Sequence, residues 1–142
     1  MDSSVLARAY LNDEVGHLRA AELLQDPELA LITGTWTRIE TSGALVRAAR
    51  AGRGDERGLL ALLDADLGAD GPVTVVTAPQ DEIEDRALDL VRTHAMRALG
   101  AWHLATAALT LARLAEPGEE VGFASRDEAQ ASVAELLGLR PV

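Results

Sequence analysis

Apolar residues in this chain recur mostly at helical spacing, interrupted by a few short continuous runs. Residues 5–11 predict a short helix with Ser3 or Ser4 as its N-cap. Residues 13–24 predict a second, with Val15, Leu18, Ala21 and Leu24 on one side and Pro27 as its stop. The run 29–33, ending at Gly34, predicts a buried strand. Residues 35–51 predict a helix that presents Ile39, Gly43 and Val46 with Leu45 and Ala49, and Gly52 and Gly54 end it. A Leu-rich helix follows over 58–67, and after the Gly71-Pro72 turn the β-branched run 73–76 predicts a strand. Pro79 leads into a helix through Leu99 with Ile83, Ala87, Leu90 and Val91 inward. Gly100 then serves as a helix terminator. Residues 101–115 are apolar nearly all round, which predicts a buried helix. Pro117-Gly118 turns the chain into a strand over 121–125, a helix over 127–137 capped by Gly138, and the start of a last strand over 139–142.

Short apolar strands alternating with helices imply βαβ units and a parallel sheet covered on both faces, an α/β fold. A length of 142 residues fits one domain, 1–142, and no repeat or long linker divides it. With 48% hydrophobic residues but one Tyr, one Phe and two Trp, the core must be aliphatic. The chain has no Cys, which excludes disulfides and thiolate chemistry. No apolar run approaches the ~18 residues of a membrane span, and no signal-peptide pattern opens the chain. The expectation is a cytoplasmic, soluble protein with no membrane partner.

The net charge of −10 argues against broad coating of nucleic acid and suits a site that concentrates cations, or a basic partner. All 13 cationic residues are Arg. GC-rich codon usage is the simplest account of that bias. Without Lys, a Walker-type phosphate loop, a receiver-domain site and Schiff-base chemistry are excluded.

Ligands of parallel sheets bind outside the carboxyl ends of the strands. Three acids from distant parts of the chain fall at such ends. Asp2 precedes the first helix and would follow a first strand, of which only Met1 remains. Glu40 lies one turn into the helix after the 29–33 strand, and Asp127 follows the 121–125 strand. Clustered carboxylates repel one another unless a cation sits among them, and Mg²⁺ favours hard oxygen ligands with room left for a phosphate. Each acid also has a structural alternative. Asp2 suits a position ahead of a helix, Asp127 suits an N-cap, and Glu40 suits an ordinary first turn.

Four motifs stand in order along the chain: Met1-Asp2-Ser3-Ser4-Val5-Leu6; Arg38-Ile39-Glu40 followed by Ala44-Leu45 and Arg47; Leu99-Gly100-Ala101-Trp102-His103-Leu104-Ala105; and Phe123-Ala124-Ser125-Arg126-Asp127, with Gly138-Leu139 as the ending. In this order and spacing the chain resembles a PIN-domain protein of the VapC-type toxin group over nearly its full length. The resemblance implies a three-layer α/β/α sandwich on a central parallel sheet. It implies that Asp2, Glu40 and Asp127 are three of four catalytic, metal-binding acids, supported by the hydroxyls of Ser4 and Ser125. The activity implied is Mg²⁺- or Mn²⁺-dependent endonucleolytic cleavage of RNA. The partners implied are a cognate antitoxin that blocks the site and a second copy of the chain in a homodimer. The apolar 101–115 and 58–67 helices also suggest a homodimer.

The third motif departs from the family pattern, because Gly100 stands where that motif has its Asp, one of the four acids. Asp85 and Asp89 lie too far upstream to replace it. The chain is then a weakened nuclease, a disarmed one, or an inactive PIN scaffold that binds protein or RNA. An unrelated doubly wound phosphatase would want a second acid two residues after its nucleophilic Asp, and Asp2 is followed by Ser3 and Ser4. His103 is expected to be a packed core residue, and Trp102 core or dimer surface.

Overall fold

The computed structural model describes residues 1–142. In chain order the elements are α1 (Ser3–Tyr10), α2 (His17–Gln25), β1 (Leu31–Gly34), α3 (Trp36–Arg50), α4 (Glu56–Asp66), β2 (Val73–Val76), α5 (Gln80–His94), α6 (Ala98–Leu114), β3 (Gly122–Phe123), α7 (Glu128–Leu136) and β4 (Arg140–Pro141). They fall into two compact units, Ser3–Val75 and Val76–Val142, the latter joined by Met1–Asp2. No helix is long and apolar enough to cross a membrane.

In the unit Ser3–Val75, α1 begins at Ser3 and buries Val5, Leu6 and Ala9, which leaves Asp2 just outside the helix. The predicted 13–24 helix loses its first turn. Gly16 adopts a φ of 82°, so α2 starts only at His17. The helix therefore turns a different stripe inward. Ala20 and Leu24 are buried, while Val15 and Leu18 are 88% and 74% exposed. α3 departs from its predicted face in the same way. It buries Thr37, Thr41, Leu45 and Ala48, and Ile39 is 66% exposed. Threonine can line a core when its hydroxyl is bonded, leaving its methyl group to pack. Thr37 Oγ1 lies 2.7 Å from Thr33 Oγ1. α4 is capped by Asp55, whose side chain accepts from the Gly58 N–H at 2.7 Å, and it buries Leu59 and Leu63. β1 and β2 form a two-stranded sheet. Only Thr33 of β1 is buried, so this strand is half-covered rather than buried as expected.

In the second unit, α5 buries Ile83, Ala87 and Leu90 as its spacing predicts, and packs against α6. The junction between these helices falls earlier than expected. α5 ends at His94, Ala95 takes a left-handed φ of 54°, and α6 starts at Ala98 after the extended Arg97. Gly100 is therefore the third residue of a helix and not the terminator of one. The core joins Leu90, Leu104, Phe123, Val133, Ala134 and Leu139, with His103 also buried on α6. β3 and β4 pair in parallel, Gly122 opposite Arg140 and Phe123 opposite Pro141. The strands are fewer-bonded than one continuous sheet would be, forming two two-stranded sheets. The Asp2 backbone N–H donates to the Ala124 carbonyl at 3.0 Å.

Candidate functional site

The backbone bond to Ala124 sets Asp2 beside the end of β3, and its side chain is buried, with 6% exposure for the residue. Asp2 Oδ2 accepts from the Ser125 hydroxyl at 2.7 Å. Asp127 donates its backbone N–H to the same Ser125 Oγ at 3.0 Å. One hydroxyl thus brings together the first and fourth motifs. The Asp127 side chain is the N-cap of α7, as its alternative reading expects: Oδ1 accepts from the Ala129 and Gln130 N–H groups at 3.0 and 3.2 Å. Both cap bonds use one oxygen. Asp127 as a residue is exposed. Ser125 therefore bonds an acid directly.

Gln130 also belongs to this hydrogen-bonded cluster, and the sequence pattern does not single it out. It is 3% exposed, and its Nε2 donates to the Gly100 carbonyl at 2.8 Å while its Oε1 lies 2.6 Å from Ser125 Oγ. The available signal was Asp127-Glu128-Ala129-Gln130, an acid followed three residues later by Gln, the pattern of a capping box. In that motif the Gln would turn back to the Asp127 N–H. Here Ser125 takes that N–H, and the Gln130 amide is released to reach α6. A Cβ at Gly100 would meet Gln130 Nε2 and Cδ at 3.6 and 3.7 Å and Met96 Cε at 3.9 Å, ordinary packing distances. Position 100 therefore has room for a larger side chain, and Gln130 borders it.

Glu40 belongs to the other unit. It lies half-buried on α3, where its Oε2 accepts from the Ser3 hydroxyl at 3.0 Å, and the Thr41 hydroxyl donates to the Ser3 carbonyl at 3.5 Å. Ser3 thus supplies a hydroxyl to Glu40. Ser4 itself sits half-buried on α1.

The α-amino group of Met1 is buried, and desolvation pulls it down to about 6 although the Asp2 carboxylate opposes that shift. No three His, Asp or Glu side chains are gathered to hold an ion. The side-chain atoms bonded to the Ser125 hydroxyl, the Asp2 carboxylate and the Gln130 amide oxygen, are oxygens. Hard divalent cations such as Mg²⁺ and Mn²⁺ prefer that chemistry.

No curated protein matches the chain. The sequence model of the PIN domain, in contrast, matches residues 1–136, and the chain belongs to the PIN domain family.

Proposed function

We propose that this chain is a Mg²⁺- or Mn²⁺-dependent endoribonuclease, the toxin of a toxin–antitoxin pair, and that Gly100 weakens its activity. PIN domains are generally metal-dependent nucleases. The observation that carries the reading is the meeting of Asp2 and Asp127 at Ser125, which joins the first and last acidic motifs. Asp2 and Asp127 are the residues that would hold the ion, and Glu40 is a further candidate acid on its motif alone. When bound, the ion supplies a Lewis acid for the phosphodiester and lowers the pKa of water. Ser125 bonds the Asp2 carboxylate, and both cap bonds of Asp127 fall on Oδ1.

The partners that go with this reading are RNA, an antitoxin with a basic segment to match the charge of −10, and a second copy of the chain. α6 spends most of its apolar positions on the core of its own unit, so it offers a dimer less than its sequence suggests. The exposed Trp36 and Ile39 of α3 and Leu62 of α4 are better candidates for a partner surface. A second reading, a binding-only scaffold, is favoured by one observation: an amide, not an acid, borders position 100.

RNA cleavage with and without EDTA separates the two. The chain as it stands should cleave weakly or not at all. Gly100→Asp should restore Mg²⁺-dependent cleavage, and Asp2→Asn in that background should remove it. A folded Gly100→Asp variant with no activity would establish the scaffold.

A further inference from the structure

We propose that Arg47 of α3 is a phosphate anchor for the RNA strand and holds that strand beside Glu40. This rests on the nuclease reading above. The first support is position on one helix face. At 3.6 residues per turn, seven residues bring Arg47 to within about 20° of Glu40 around α3. Arg50, also exposed on the same helix, lies about 80° from Glu40. The second is direction. Long side chains of a helix lean over the turn before them. Arg47 does so, with Nη1 3.2 Å from where a Cβ of Gly43 would lie. Gly43 stands three residues after Glu40, a rise of about 4.5 Å. The missing Cβ lets the guanidinium lie against α3 and brings its charge within one turn of the acid.

The third support is charge. Two other arginines of this unit are tied to acids, Arg38 to Asp64 at 2.6 Å, and Arg53 to Asp13 and Glu14 at 2.7 Å each. Arg47 is exposed and takes part in no such pair. A chain of net charge −10 repels a polyanion, so binding depends on the few cations that face the strand. A guanidinium is well shaped for that contact, because its planar fork of donors grips two phosphate oxygens at once.

Fluorescence anisotropy of a labelled single-stranded RNA of mixed sequence, in Mg²⁺ and over a range of salt, tests this on the full chain. Arg47→Ala, Arg50→Ala and Gly43→Ala are measured beside it, with thermal melting as the check of folding. Arg47→Ala should weaken binding on the order of tenfold, the worth of a hydrogen bond to a charged group. It should also lower the slope of log affinity against log salt by about 0.7, one phosphate contact on a single strand. Arg50→Ala removes the same charge from the same helix and should keep both quantities close to the parent's. Gly43→Ala keeps the charge but pushes the guanidinium aside, so it should lose part of the affinity. RNA cleavage by Gly100→Asp, measured in parallel, separates this inference from the reading beneath it. Cleavage by Gly100→Asp, with Arg47→Ala and Arg50→Ala equal in affinity and slope, overturns the role of Arg47 and leaves the nuclease reading standing. Unchanged RNA affinity with weaker self-association of Arg47→Ala in sedimentation assigns Arg47 to a protein contact, which also overturns it. Binding that depends on Arg47 without cleavage by Gly100→Asp keeps the anchor and overturns the nuclease reading. No RNA bound by the parent and none cleaved by Gly100→Asp overturns both.

Discussion

Ser125 and Asp2, 123 positions apart in sequence, meet through a 2.7 Å bond from hydroxyl to carboxylate. Ser125 also receives the Asp127 N–H at 3.0 Å, so one side chain ties the start of the chain to the cap of α7. Ser125→Ala removes the donor to a buried carboxylate and the acceptor for the N–H. Leaving such groups without partners costs about 1–3 kcal/mol. Urea unfolding should show a loss of that size, and an unchanged midpoint would mean that water replaces the hydroxyl at no cost.

Gly100→Asp should couple stability to the metal. Its Cβ meets nothing closer than 3.6 Å, and an acid in the first turn of α6 gains ~0.3–1 kcal/mol from the helix N-terminus. A new carboxylate joining Asp2 and Asp127 is repelled by them, which offsets that gain in the absence of an ion. Binding to the folded state stabilises by about 2.7 kcal/mol when the ion is at 100 times its Kd. The Tm of Gly100→Asp should therefore rise with Mn²⁺ and fall back with EDTA. A Tm indifferent to Mn²⁺ at millimolar concentration would count against an ion site here.

Much of this was legible before any coordinates. The α5 stripe of Ile83, Ala87 and Leu90 is wholly apolar, and helical spacing finds it. The α3 stripe is not, because Thr37 and Thr41 read as polar although bonded threonines bury well. Position 100 was misplaced for a different reason. A Gly after a helical run reads as its end, but Ala95 supplies the left-handed turn and leaves Gly100 inside α6. Asp2, Glu40 and Asp127 stand out in the sequence through the motifs around them. Gln130 does not, because its place depends on Ser125 claiming the Asp127 N–H, a contact between side chain and backbone that no periodicity encodes.

Tyr10 gives a pH signature to the unit Ser3–Val75. Its hydroxyl donates to Asp66 Oδ2 at 2.7 Å. Burial first, and then the Asp66 carboxylate, hold the phenol far above the ordinary tyrosine value. Above pH ~10 the unfolded chain loses this proton while the folded chain keeps it. The stabilisation is complete below that pH and declines as pH rises past it. Tyr10→Phe should cost about 0.5–1.5 kcal/mol at neutral pH, the worth of a hydrogen bond. It should also flatten the alkaline fall in stability, followed by urea melts from pH 8 to 11. An equally steep fall in the variant would assign it to other groups.

Ile39 and Leu45 distinguish the two faces that helical spacing allows for α3. The predicted face counted Ile39 as inward, whereas in the structure it is 66% exposed and Leu45 is fully buried. Leu45→Ala removes buried methyl groups and opens a cavity, so it should cost ~2–5 kcal/mol. Ile39→Gln removes little contact and should stay within about 0.5 kcal/mol. A large loss at Ile39 in the isolated chain would mean that the stripe through Thr37, Thr41 and Leu45 is not the inward one. If Ile39 instead contributes to the proposed partner surface, its substitution should weaken association while leaving the urea midpoint of the monomer unchanged. Sedimentation measured beside unfolding separates these results, because a core residue moves the second quantity and an interface residue moves the first.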